Sequence, residues 1–252
     1  MITRRTLCGC ALALVCPRGA FPATAEMPGC AFFETDPNSQ TSRGDLPGLK
    51  AMDLSQNFEN GLVIVLSELR KLLQVQVAFG YYDDDIAYPN ARALEHTSLS
   101  GLGAVSPIDG AVILGRHLIE QIRKKEQGTR NFGAALTAVC AHEFGHILQF
   151  KYIIPQLMQI EEPVTTRAEL HADFVSGYFA AFRKRQQPEY PAVMQAMTQF
   201  RYGDGAYKPI DHGSPEQRGA AVYAGYQLGQ AEPLNPEQVT LRGLEYVTRL
   251  AL

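Results

Sequence analysis

The chain contains no tryptophan, only five cysteines in 252 residues, and no excess of positive charge. With 23 basic against 26 acidic residues, it lacks the basic surplus of a nucleic-acid binder, and no nucleic-acid partner is expected. No apolar run reaches the roughly 18 residues that a membrane-spanning helix needs, so no stable membrane insertion is expected either. Repeats and low-complexity tracts are missing too. Charged residues make up 19% and apolar ones 46%, which excludes a disordered or fibrous chain and suffices for one substantial core.

The scarce cysteines are unevenly placed. Cys8, Cys10 and Cys16 fall in a segment that reads as an export signal rather than as fold. Residues 1–25 start with Arg4 and Arg5, continue in the short apolar stretch Leu7–Cys16, and end in Ala23-Thr24-Ala25, a small-x-small cleavage pattern. Thr3-Arg4-Arg5-Thr6-Leu7 is similar to a twin-arginine address. An exported protein, periplasmic or secreted, is therefore expected. Losing three arginines and no acid takes the mature chain from −3 to about −6. Cys30 and Cys140 remain. An oxidising compartment would permit them to pair, but the favoured reading makes Cys140 a buried helix residue and Cys30 a loose thiol.

Residues 26–50, rich in Pro, Gly, Ser, Asn and Asp, read as an extended lead-in, and residues 51–252 as one domain. Helical spacing of apolar residues runs from Asp53 to Gln74. Strands are predicted at Val75–Phe79, within Ile86–Leu94, and at Gly110–Gly115. Helices follow at His117–Lys125, Phe132–Tyr152, Pro163–Arg185 and Pro191–Phe200, with Pro155 ending the second of these. Ser214-Pro215-Glu216-Gln217 and Asn235-Pro236-Glu237-Gln238 each carry a cap, a first-turn proline and a capping-box glutamine. The expected fold is α+β and mostly helical, with a small sheet early in the chain.

One pattern carries chemistry. His142-Glu143-Phe144-Gly145-His146 places two imidazoles four residues apart, hence on one helix face, where both can reach a single tetrahedral ion. Two imidazoles and one carboxylate suit zinc and leave a coordination position open. Glu143 then lies beside the ion, where it can take a proton from the water that such an ion activates. On the next helix, Glu169 and Asp173 also share a face. Glu169 is the candidate third ligand, and Asp173 the acceptor that fixes the tautomer of a ligating histidine.

His142-Glu143-x-x-His146 followed by Glu169-x-x-x-Asp173 resembles the gluzincin branch of zinc metallopeptidases, and more narrowly the small bacterial neutral zinc metallopeptidases. In those, the motif helices are followed by His-Gly-Ser-x-Glu-Gln-Arg, which here is His212 to Arg218; the likeness covers roughly residues 105–228. His171 departs from it, since that family more often has Gln there. The resemblance implies a zincin-like domain with a substrate-binding edge strand over the cleft, for which Gly110–Gly115 is the best match. His212 is the candidate to stabilise an oxyanion, with Tyr202 and Tyr207 as rivals. Asp83-Asp84-Asp85 reads as a solvated turn in preference to a calcium site, and His96 and His117 have no evident partner.

The expected activity is hydrolysis of a peptide or protein substrate by a Zn2+-activated water, with Glu143 as general base. Two rivals remain: a zinc-binding chaperone or adaptor with little turnover, and a zinc amidohydrolase acting on a non-peptide amide.

Overall fold

The periodicities in the sequence become seven helices and four strands among the described residues of a computed structural model. These residues are 48–52, 60–86, 89–95, 108–127, 133–157, 159–160, 163–191, 197 and 212–252. Residues 1–25, read above as an export signal, lie outside them together with Cys30, His96, Tyr202 and Tyr207, as does most of the helix expected at Pro191–Phe200.

The sheet comes first in the chain and is short. Its strands are β1 (Lys50–Ala51), β2 (Val77–Tyr82), β3 (Ala91–Glu95) and β4 (Gly110–Gly115), in the spatial order β1-β2-β4-β3. β2 and β4 are parallel, with Phe79 opposite Val112, while β1 and β3 flank them antiparallel. Parallel neighbours need a crossover, and their fully apolar run Gly110–Gly115 is buried at every position, as an interior strand requires. This corrects the expectation that Gly110–Gly115 forms the edge. The edges are β1 and β3, and Arg92 and Glu95 of β3 are the charges that edge strands carry. Two boundaries also move. Gln74 takes φ 49°, turning the chain before β2 can start, and Gly80 lies within β2 rather than ending it. Lys50, at the end of the expected lead-in, pairs with Tyr81.

Helix α1 (Asn60–Leu73) turns Leu62, Val65, Leu66, Leu69 and Leu73 into the core, a helical stripe on the face that meets the sheet and helix α3. Helix α2 (Arg116–Glu126) follows β4 directly. The buried Asp84 carboxylate receives backbone N–H groups from Asn90, His117 and Leu118, so Asp84 anchors the start of α2. Asp83 pairs with Arg116 at 2.8 Å. Asp84 is thus an interior anchor, which corrects the expectation of a solvated turn. Helix α3 (Ala134–Tyr152) is buried on all sides from Ala134 to Gln149, and Glu126 receives the N–H groups of Gly133 and Ala135 at its start. Cys140 is buried in it as a free thiol. Pro155 falls in the short helix α4 (Ile154–Leu157), after the end of α3.

Three further helices close the fold. Helix α5 (Val164–Gln186) has Pro163 as its N-cap, one residue earlier than the expected first-turn place. Helices α6 (Pro215–Ala231) and α7 (Pro236–Thr248) both carry the capping boxes read from the sequence, through Ser214 with Gln217 and Asn235 with Gln238. Close crossings hold these helices together. A Cβ on Gly177 would stand 1.9 Å from the Val222 carbonyl oxygen, and one on Gly225 the same distance from that of Phe174, so α5 and α6 meet backbone to backbone. A Cβ on Gly145 would lie 2.7 Å from Ala172 Cα, so α5 also passes close to the histidine helix.

Candidate metal centre

Helix α3 supplies His142 and His146 one turn apart, and the tight Gly145–Ala172 crossing carries Glu169 of α5 to the same point. His142 Nε2 lies 3.2 Å from His146 Nε2 and 3.2 Å from Glu169 Oε2, and His146 Nε2 lies 3.5 Å from Glu169 Oε1. All three side chains are buried.

Hydrogen bonds on the far side of each ring decide what these atoms present. Asp173 Oδ1 accepts from His142 Nδ1 at 2.8 Å, and Gln149 Oε1 accepts from His146 Nδ1 at 2.9 Å. With Nδ1 donating, each ring turns its Nε2 inward, and a neutral ring offers a lone pair there. Three lone-pair donors at 3.2–3.5 Å repel unless a proton or a metal ion stands among them. Tetrahedral bonds of about 2.0–2.1 Å give a ligand-to-ligand edge of about 3.3 Å, so the observed spacing fits a metal ion. Glu169 Oε2 is moreover buried with no hydrogen-bond partner, as is Glu143 Oε2. His142, His146 and Glu169 can thus hold a metal ion, and the two imidazoles disfavour a hard cation such as calcium or magnesium.

The charges agree. Burial alone would lower His142, yet the Asp173 and Glu169 carboxylates beside it raise it to about 10. Burial lowers His146 to about 4, against the pull of Glu169. Glu169 is held well below the usual carboxylate range in spite of burial, by His212, His146 and His142. The pocket calls for one positive charge, whether a proton or a metal ion.

Asp173 does more than receive His142. Arg218 of α6 donates to it through Nε at 2.9 Å and Nη2 at 3.2 Å, and together with His142 holds it below its ordinary value despite full burial. His212, at the other end of the same segment, places Nε2 3.9 Å from Glu169 Oε2. The stretch His212–Arg218 therefore reaches the centre twice, once at each end.

Glu143 is buried next to the centre, and its carboxylate receives the backbone N–H of Ala93 in β3. Burial pushes it up to about 7, with His142 opposing. A carboxylate so placed suits proton transfer near neutral pH. His117 is half-buried at the start of α2 and belongs to no metal-holding group among the described residues.

The sequence reading missed two contributors. Gln149, one turn beyond His146, was passed over as an ordinary helix residue, although its i+3 spacing from His146 was a signal. His171, two residues from Glu169 and so on another face of α5, places its Nδ1 3.0 Å from Gln149 Nε2 and its Nε2 3.0 Å from the Thr240 carbonyl. No family model, no curated protein and no solved structure matches this chain.

Proposed function

We propose that the chain is a zinc-dependent hydrolase of gluzincin type that cleaves peptide bonds. The carrying observation is the convergence of two imidazoles and a carboxylate at the spacing of a tetrahedral ion, with the unligated Glu143 beside them. A bound zinc would supply Lewis acidity, polarising the scissile carbonyl and making water acidic enough to attack at neutral pH.

The protein groups divide the remaining work. Glu143 takes the proton of the attacking water and hands it to the leaving amine nitrogen, while the Ala93 N–H fixes its carboxylate. Asp173 keeps His142 in the tautomer that donates outward and binds inward. His212 offers an N–H to the oxygen that gains negative charge at the scissile carbon. β3 is one of the two edge strands of the sheet and touches Glu143 through its backbone. A peptide in extended form would add to that edge through main-chain hydrogen bonds, a mode that tolerates many side chains.

Glu143→Gln tests this. It should bind one zinc per chain, as the parent does, and lose about 10²–10⁴-fold in cleavage of a peptide library. A variant as active as the parent refutes Glu143 as base. A parent that binds zinc stoichiometrically yet cleaves nothing in the library or in casein supports the adaptor reading instead.

A further inference from the structure

We propose that Gln149 and His171 form a one-way hydrogen-bond relay that positions the His146 imidazole for a metal ion and ties it to the C-terminal helix α7. The proposal rests on the metal reading above and adds two positioning residues to it.

Two main-chain carbonyls dictate the direction of the relay. The Thr240 carbonyl can only accept, so His171 Nε2, 3.0 Å away, carries the ring hydrogen. The Ala168 carbonyl can only accept, so the group 2.7 Å from it is the Gln149 amide nitrogen and not its oxygen. The second hydrogen of that nitrogen goes to His171 Nδ1 at 3.0 Å, which is the acceptor end of the neutral ring. Gln149 Oε1 is then left facing His146 Nδ1 at 2.9 Å and receives its hydrogen. The His146 Nε2 lone pair must consequently point into the centre. Each link allows one donor and one acceptor, and the two carbonyls cannot donate, so reversing any link leaves a buried group unmatched.

Bulk water does not reach the relay. Gln149, His171 and Thr240 are each 0% exposed, and His146 1%. An unmatched polar atom at this depth is costly, which gives the relay its stiffness. Helix α7 reaches His171 because of Gly243. A Cβ there would stand 2.8 Å from His171 Cδ2 and 2.9 Å from its Nε2, so any side chain would push the ring away from the Thr240 carbonyl. The α7 backbone and the ligand His146 are thereby connected through two side chains, although α7 contributes no ligand.

The test uses the full chain and four variants: His171→Leu, His171→Gln, Gln149→Leu and Gly243→Ala. Zinc Kd is read by competition with a chromophoric chelator, and ligand geometry from the visible bands of the Co2+-loaded protein. Gln149→Leu and His171→Leu should weaken zinc binding about tenfold or more and alter the Co2+ bands. His171→Gln should bind as the parent does, since its carbonyl can accept from Gln149 while its amide donates to Thr240. Gly243→Ala should weaken binding while removing no polar group. If His171→Gln and His171→Leu weaken zinc alike, or if folded leucine variants bind as the parent, the relay is refuted. Histidine 15N spectra of the parent decide the matter even where variants do not fold. His171 must carry its hydrogen on Nε2 and His146 on Nδ1, and the opposite His171 tautomer refutes the proposal. A parent that binds no zinc would sink the metal reading, while the His171 tautomer would still report on the relay.

Discussion

Replacing Asp173 by asparagine separates the two tasks that converge on this carboxylate. Asp173 is wholly buried and accepts from His142 Nδ1 at 2.8 Å and from Arg218 Nε and Nη2 at 2.9 and 3.2 Å. Asparagine has nearly the same shape but only one accepting oxygen. Its NH₂ must then face either the Arg218 guanidinium or the His142 N–H, donor against donor. The guanidinium is left in the interior without a counter-charge, and removing one partner of a buried ion pair costs about 3–5 kcal/mol. Replacing the charged acceptor at His142 by a neutral amide oxygen, or by a donor, should weaken zinc binding about 10–100-fold. Arg218→Met makes the control. It should destabilise the fold to a similar degree, because Asp173 loses its counter-charge, yet leave zinc affinity at the parental level, because the carboxylate still holds His142. The double variant should cost less than the two single changes together, since the mismatch at Arg218 is gone. Urea unfolding in the presence of a chelator measures the stability, and chelator competition the affinity. An Asp173→Asn variant within about 1 kcal/mol of the parent contradicts the reasoning on the ion pair. An Arg218→Met variant that loses as much zinc affinity as Asp173→Asn contradicts the division of labour.

Two further outcomes follow from packing and from titration. Gly145→Ala places a Cβ 2.7 Å from Ala172 Cα, where backbone rather than a flexible tip is met. The α3–α5 crossing must open, costing about 1–3 kcal/mol by urea unfolding and weakening zinc binding, because α5 carries Glu169. A gain in stability, as helix propensity alone would give, counts against the close crossing. At alkaline pH, burial raises Tyr81 to about 12 and Tyr82 higher still. Both raised values lie above the unfolded value near 10, so the stability they confer is present below about pH 10 and is lost as pH rises toward 12. The urea midpoint should fall between about pH 9 and pH 11, and Tyr82→Phe should flatten the fall; a slope unchanged in that variant removes Tyr82 from the explanation.

Some of this was legible before any fold was known, because it depends on short range. Four-residue spacing fixes which helix face a side chain occupies, so His142 with His146, and Glu169 with Asp173, could be paired from position alone. The capping boxes at Ser214 and Asn235 are equally local and recur as read. The strand boundaries were less legible. The left-handed Gln74 and the pairing of Lys50 with Tyr81 depend on contacts that no window of the sequence contains. The apolar run Gly110–Gly115 carries the mark of an interior strand, whereas the resemblance to metallopeptidases implies an edge there.

Helical periodicity thus determined by itself that this chain has a motif helix able to offer two imidazoles, and an acidic helix able to answer it. Only the tertiary structure decided that these meet. Glycine at position 145 lets the two helices close, Arg218 arrives from α6 to hold Asp173, and Thr240 arrives from α7 to orient His171 and, through Gln149, His146. The physical reason is that a residue's face on its own helix follows from bond geometry repeated over a few residues. Which faces come into contact depends instead on how every helix packs against all the others at once.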